Sequence, residues 1–258
     1  MSGFRLLTDR AAIAHRGGSR LRPENTIAAF DHAVSLGVDA CECDVHLSAD
    51  GEPVVIHDPT LDRTTDATGP VGALSAAELS RVDAGFRYTE QGAFPFRGRA
   101  GGVPSLADLL TRYPALPWIV EIKGDRPEVA ARVVGVVREC GAAGRVIVGG
   151  FSQGVLEAVR RLAPDLVTSA SRDEARAAVE RARSGLMPLV SGYRLFQMPV
   201  RLEGRPTLER AFVEAARRAG LPVQAWIVDD ADEMRDLLAW GVTGLISDRP
   251  DVALEVLR

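Results

Sequence analysis

The stretch "VDACECDVHL", residues 38–47, decides how the rest of the chain is read. Four consecutive side chains, Cys41, Glu42, Cys43 and Asp44, belong to types that ligate metals. The apolar flanks make the segment a strand, and in a strand side chains two apart share a face. Glu42 and Asp44 therefore point one way, Cys41 and Cys43 the other. Two cysteines without a second pair make a poor closed zinc site, which wants four ligands. A free cysteine turned away from the acids packs as a small hydrophobe.

Working outward, short apolar runs alternate with helical patterns. "AAIAH" (11–15) reads as a strand and "ENTIAAFDHAVSLG" (24–37) as an amphipathic helix, with Ile27, Phe30 and Val34 on one face and Gly37 as its stop. After the turn "ADGEP" (49–53), "VVIHD" (54–58) reads as another strand. Residues 60–104 break the rhythm with many Gly, Pro and Thr and one short helix near 75–82, and a loop of that length reads as a small inserted subdomain or a functional loop. The alternation then resumes with strands at 117–123, 145–151, 166–170, 193–198, 222–228 and 244–247, each followed by a helical segment.

Repeated strand–helix alternation implies parallel strands with helices outside. About eight such units over ~250 residues fit an α/β (β/α)8 TIM barrel forming a single domain over residues 1–258. Nine strand candidates are one too many, so one of 54–57 and 193–198 lies outside the barrel. A doubly wound open sheet would more often carry a glycine fingerprint after its first strand, and "HRGG" (15–18) is not one.

A net charge of −4 gives no basic footprint for nucleic acid and no polybasic membrane anchor. There is no apolar run long enough to span a bilayer, three cysteines are too few for a disulfide framework, and "MSGFRLLTDRAAIAHRG" does not read as a signal peptide. A cytoplasmic location is the expectation, and no oligomeric state is specified. Of 31 Lys and Arg residues only Lys123 is lysine, which suggests a position needing a compact ammonium. The histidines, His15, His32, His46 and His57, all lie in the first quarter of the chain.

Barrel chemistry sits at the C-terminal ends of the strands. Those ends carry His15-Arg16, Glu42 and Asp44, His57-Asp58, Glu121 and Lys123, Trp226, and Asp248. Glu121 and Lys123 share a face. Three carboxylates at one mouth repel one another unless a cation lies between them, and oxygen ligands favour a hard ion, Mg2+ or Ca2+. His15 and His57 suit paired acid–base work near neutral pH. Arg16 and Lys123 add fixed positive charge, which suits an anionic substrate, phosphate above all. "PENT" (23–26) reads as a helix start, with Glu24 also placed to bond a site residue. "GGFSQG" (149–154) is only a weak likeness to a phosphate loop. His46 and His32 are not assigned to the site.

In order along the chain, "HRGGSRLRPENT", "ECDVHLSADGEPVVIHDPTLDRTT", "EIK", "WIVDD" and "GLISDRP" resemble the glycerophosphodiester phosphodiesterase family over about residues 12 to 256. The resemblance implies a (β/α)8 barrel with a small insertion after the third strand, matching residues 60–104. It implies metal ligands at Glu42, Asp44 and Glu121, a catalytic pair at His15 and His57, phosphate contacts at Arg16 and Lys123, and a cleft tryptophan at Trp226. The implied reaction is metal-dependent hydrolysis of a glycerophosphodiester to glycerol 3-phosphate and an alcohol. The chain departs from the family's W-T-x-N at Ile227 and Asp229, and from its T-D-x-P at Ser247. Asp229 in place of Asn puts a polar role there in doubt.

Three rival readings remain. A lysophospholipase D-type phosphodiesterase would share the site and act on lysolipids. An amidohydrolase-type metal hydrolase needs an H-x-H pair that His15 does not supply. A non-catalytic phosphodiester-binding module would have no need of both histidines and all three acids. Phe86, Tyr88, Phe94 and Phe96, with Phe196 and Gln197, are candidates for the cleft lip or for the insertion's own packing.

Overall fold

Side-chain parity along the strands builds the molecule. The structure, a computed structural model, describes residues 5–202 and 204–258. Its strands are β1 (Ala11–Ala14), β2 (Ala40–Leu47), β3 (Pro53–Val55), β4 (Trp118–Ile122), β5 (Val146–Gly150), β6 (Val167–Thr168), β7 (Phe196–Pro199), β8 (Arg201–Leu202), β9 (Arg205–Pro206), β10 (Val223–Trp226) and β11 (Gly244–Ser247). The helices are α1 (Ile27–Leu36), α2 (Ala76–Leu79), α3 (Leu106–Arg112), α4 (Glu128–Glu139), α5 (Gln153–Leu162), α6 (Arg172–Arg183), α7 (Arg210–Arg218), α8 (Ala231–Trp240) and α9 (Pro250–Leu257).

The strands run in the order β6-β5-β4-β2-β1-β11-β10-β7, with each neighbouring pair parallel. The circle closes between β6 and β7 through a parallel bridge from Ser169 to Leu195. There the Ala170 N–H donates to the Leu195 carbonyl at 2.9 Å and the Arg194 N–H to the Thr168 carbonyl at 3.0 Å. This is the expected (β/α)8 barrel. The strand outside it is the 54–57 candidate: β3 pairs antiparallel with the far end of β2, while 193–198 supplies β7. His57 therefore stands on the return arm of a hairpin rather than at the end of a barrel strand.

Ile13, Ala40, Ile119, Ile147 and Ile246 fill the barrel interior. The alternate positions Cys41, Cys43, Trp118, Val120 and Val148 pack outward against the helices. Both cysteines are fully buried in that outer layer, and burial pushes both thiols up.

At the first strand–helix junction Gly17 has φ 84°, and a Cβ there would come within 2.7 Å of the Ala29 side chain. The "HRGG" turn thus presses on α1, which only glycine permits. The helix is shorter than the 24–37 expected. Its cap is Thr26, whose hydroxyl accepts from the Ala29 N–H at 3.2 Å, and that frees Glu24 and Asn25 for the site.

Within residues 60–104, Leu61, Val71, Leu79 and Val103 gather with Val54 and Ile56 into a small apolar cluster. A Ser75–Glu78 capping box starts α2. Tyr88 packs edge-on against Phe96 at 5.4 Å, and Arg97 stacks on Phe86 and Phe94. Among the described residues no helix is long and apolar enough to cross a membrane.

Candidate active site

The register of β2 on β4 places Asp44 beside Glu121. One carboxylate oxygen from each of Glu42, Asp44 and Glu121 lies within 4.8 Å of the others. Glu42 is 4 % exposed and Asp44 0 %, so two carboxylates have been taken out of water side by side. Burial, and then the charge on Asp44, push the Glu42 carboxyl well above the usual range. Burial opposes charge on Asp44 too, but Lys123 and Arg16 outweigh it and hold that carboxyl low. Glu42 Oε1 is buried without a hydrogen-bond donor. A buried, orphaned carboxylate oxygen within reach of two further acids fits a hard divalent cation, which takes all-oxygen ligands.

Two cations frame this cluster. Lys123 Nζ lies 2.7 Å from Glu121 Oε1 and 2.9 Å from Asp44 Oδ1. Arg16, in the left-handed region at φ 51°, donates its backbone N–H to Glu42 Oε2 at 3.0 Å. Its guanidinium pairs with Asp44 at 3.0 Å and Glu24 at 2.9 Å. Asn25, buried and also left-handed, donates from Nδ2 to Asp44 Oδ2 at 2.8 Å. The "PENT" segment is thus chiefly a site support, with Thr26 alone doing the capping.

Each histidine is oriented by an acid. His15 Nδ1 is 2.6 Å from Asp248 Oδ1. Burial disfavours the His15 imidazolium, yet Asp248 and Glu42 outweigh it and raise the His15 pKa above its ordinary value. His57 Nδ1 is 2.6 Å from Asp58 Oδ1. In each case the Nδ1–H donates to the carboxylate, and His15 Nε2 lies 3.9 Å from Glu42 Oε2. His46 lies outside the cluster but donates from Nε2 to the His57 carbonyl at 3.0 Å.

His15, Arg16, Glu42, His57, Glu121, Lys123 and Trp226 line one cleft of about 560 Å3 at the C-terminal ends of the strands. Asp44 lies just beneath it. Trp226 meets Phe151 edge-on at 6.0 Å, and Phe151 and Gln197 also line the cleft. The insertion aromatics do not line it, and Phe196 is buried in the outer core. "GGFSQG" is a strand end and helix start: Ser152 caps α5, with its hydroxyl accepting from the Val155 N–H.

Four supports escape a reading of the sequence. Asp248 is legible there only as one polar strand end, not as the partner of His15. Asp229, in doubt as a substitution, accepts from the Ser247 hydroxyl and the Asp248 N–H, both at 2.9 Å, and so sets the turn that carries Asp248. Arg63 joins Asp58 to Glu24, and Asn25 fixes Asp44. Arg63 lies inside "HDPTLDRTT" and Asp248 inside "SDRP", so position in a motif was the available signal.

Comparison with known proteins shows the family. The family model described as "Glycerophosphoryl diester phosphodiesterase family" matches residues 15–252. A glycerophosphodiester phosphodiesterase of Caldanaerobacter subterraneus subsp. tengcongensis is 31% identical over 257 residues, covering 95% of this chain and 97% of its own. The crystal structure of a glycerophosphodiester phosphodiesterase from Agrobacterium tumefaciens is 33% identical with a TM-score of 0.74, covering 93% of this chain and 97% of its own. That of a glycerophosphoryl diester phosphodiesterase domain from Mycobacterium tuberculosis is 25% identical with a TM-score of 0.83, covering 96% and 98%. With its barrel, its triad of acids and its two acid-oriented histidines, the chain belongs to the glycerophosphoryl diester phosphodiesterase family.

Proposed function

We propose that the protein hydrolyses glycerophosphodiesters to glycerol 3-phosphate and an alcohol. The observation that carries this reading is the convergence, in one cleft, of three acids able to hold a cation, two fixed cations and two imidazoles each oriented through Nδ1 by a carboxylate. Glu42, Asp44 and Glu121 would hold one Mg2+ or Ca2+, which when bound supplies Lewis-acid stabilisation of a non-bridging phosphate oxygen.

The chain's own groups do the rest. Arg16 and Lys123 bind the phosphate and stabilise charge on its oxygens as the nucleophile adds, from positions already fixed by Glu24, Asp44 and Glu121. His15 removes the proton from the nucleophile, which is water or the neighbouring glycerol hydroxyl. His57 gives a proton to the departing alcohol oxygen as its bond to phosphorus breaks. The orienting carboxylates Asp248 and Asp58 stabilise the imidazolium that each histidine forms in turn. Trp226 and Phe151 present an apolar wall to the organic part of the substrate.

In the same reading residues 60–104 are an inserted subdomain, supported by their own apolar cluster, and the enzyme acts in the cytoplasm, in keeping with its free thiols.

The test is a coupled glycerol 3-phosphate assay on glycerophosphocholine, glycerophosphoethanolamine and glycerophosphoglycerol, each with EDTA, Mg2+ or Ca2+. Turnover with one or both ions and none with EDTA is expected. His15→Ala and His57→Ala should each lower kcat by roughly 10²–10⁴-fold while cation binding, followed by calorimetry, persists. Metal-independent turnover, or near-normal kcat in either variant, overturns the corresponding part. Binding of glycerophosphocholine without hydrolysis would favour a non-catalytic module.

A further inference from the structure

Inside the barrel runs a short polar chain that the proposed chemistry leaves unused. Gln224, fully buried, donates from Nε2 to the carbonyl of Leu6, in the turn before β1, at 3.2 Å. Gln197 stands beside it in the β7–β10 register and donates from Nε2 to Gln224 Oε1 at 3.0 Å. Chemistry fixes the direction of this chain. The Leu6 carbonyl can only accept, so Gln224 turns its NH2 toward it and its oxygen toward Gln197. Gln197 must then turn its own NH2 toward Gln224, and its oxygen faces away from the pair.

That oxygen reaches toward β5. A Cβ at Gly149 would come within 2.8 Å of Gln197 Oε1 and 3.5 Å of Ser169 Oγ, so the missing side chain at 149 lets the carboxamide lie there. Gly149 neighbours Glu121 in the β4–β5 register, about 4.8 Å away across one strand spacing, and Glu121 pairs with Lys123. Gln197 and Ser169 both line the cleft, although Ser169 is only 1 % exposed. Among the described residues Gln197 bonds through Nε2 alone and the Ser169 hydroxyl makes no hydrogen bond. A fixed acceptor beside a hydroxyl that can rotate to donate suits a neutral group that both donates and accepts. An alcohol hydroxyl is such a group, and the glycerol of a glycerophosphodiester carries two.

We propose that Gln197 and Ser169 are specificity-determining residues that read one glycerol hydroxyl: Gln197 Oε1 accepts a hydrogen bond from it, and Ser169 Oγ donates to its oxygen. Gln224 is a positioning residue that acts through Gln197, by fixing which end of the carboxamide meets the substrate. The inference rests on the phosphodiesterase reading and adds the groups that select glycerol over a bare alkyl ester.

The experiment measures kcat/KM for a glycerophosphodiester and for its 2-hydroxypropyl and 3-hydroxypropyl analogues, which each lack one glycerol hydroxyl. Choline or ethanolamine is the departing alcohol, and its release is followed. The unaltered protein should lose about 10- to 100-fold on one of the analogues. Gln197→Leu should lose a similar factor on the glycerol compound and nothing further on that analogue. A merely structural role would lower all three compounds by one factor, so that the losses multiply, and that result overturns the proposal. So does an unaltered protein that turns over all three alike, a comparison that needs no variant. Ser169→Ala removes a single oxygen and repeats the test with a loss of about two- to tenfold, should Gln197→Leu fail to fold. Gln224→Leu should narrow the ratio between the glycerol compound and that analogue, because the Gln197 carboxamide is then free to turn over; an unchanged ratio overturns its positioning role. No turnover of either glycerol compound or of glycerophosphoglycerol with Mg2+ or Ca2+ overturns the phosphodiesterase reading itself.

Discussion

Arg63 and Glu24, 39 residues apart in the chain, meet fork to fork, with Nη1 2.7 Å from Oε2 and Nη2 2.8 Å from Oε1. The same guanidinium reaches Asp58 Oδ2 through Nε at 2.6 Å, and Glu24 passes the contact on to Arg16 at 2.9 Å. Arg63 thus ties the arm that carries His57 to the turn that carries His15 and Arg16. This matters because β3 is not part of the barrel, so its arm lacks the support of a neighbouring strand on each side.

Arg63→Gln is therefore expected to lower kcat about 10²-fold by letting His57 drift from its place, with a smaller effect on KM. Arg63→Lys keeps the charge but cannot span both carboxylates in a planar fork, so it should recover only part of the loss. Steady-state kinetics of both variants check this, and a normal kcat in Arg63→Gln would sink the clamp.

Asp248 raises the His15 pKa and fixes its Nδ1–H. Asp248→Asn should lower kcat by roughly 10²–10⁴-fold. It should also move the acid limb of the kcat/KM profile to lower pH, because without the carboxylate the imidazole loses its proton more readily. The sign is the diagnostic part. A limb that stays in place, or moves up, would show that His15 is not the titrating base.

Burial and the charge on Asp44 disfavour the ionised form of Glu42, and a raised folded pKa costs stability at every pH above the ordinary carboxylate value. Glu42→Gln should make the cation-free protein more stable by on the order of 1 kcal/mol, while abolishing the rise in Tm that Mg2+ or Ca2+ gives the parent protein. Thermal unfolding with EDTA and with each ion measures both. A destabilised cation-free variant would contradict the strained-carboxylate account.

Cys41 and Cys43 face the helix layer and their thiols are held protonated by burial. Replacing either with Ala should cost about 0.5–1.5 kcal/mol and leave kcat unchanged. In the native protein a thiol reagent should reach Cys140, which is only partly buried, and all three only after unfolding. Loss of activity in Cys43→Ala would mean that strand parity had been misread.

Much of this was legible in the sequence because a strand's period is short and rigid. Parity alone separated Glu42 and Asp44 from the cysteines, and strand ends alone gathered His15, Arg16, Glu121, Lys123 and Trp226. His57 was found for a partly wrong reason, since a three-residue antiparallel arm and a short parallel strand look alike in one dimension. Asp248, Asp229, Arg63 and Asn25 were not legible as supports, because their partners lie far away in the chain and a hydrogen bond leaves no periodic trace. The cleft wall was legible only in part: Gln197 lines it, whereas the insertion aromatics pack locally. Aromatics in a long loop draw attention, whereas Ala175, Val179 and Leu202, which also line the cleft, are residues of ordinary type with no pattern to mark them.

The order of strands around the barrel has one more consequence. Every group proposed to touch phosphorus or its cation comes from β1, β2, β4 and the loops beside them, whereas α6 and the β8–β9 hairpin line the other side of the cleft. The hairpin pairs with itself and lies off the main sheet. A loop exchange there would leave in place every group proposed to act on phosphorus. The proposed chemistry and the far wall of the cleft thus stand on separate pieces of chain.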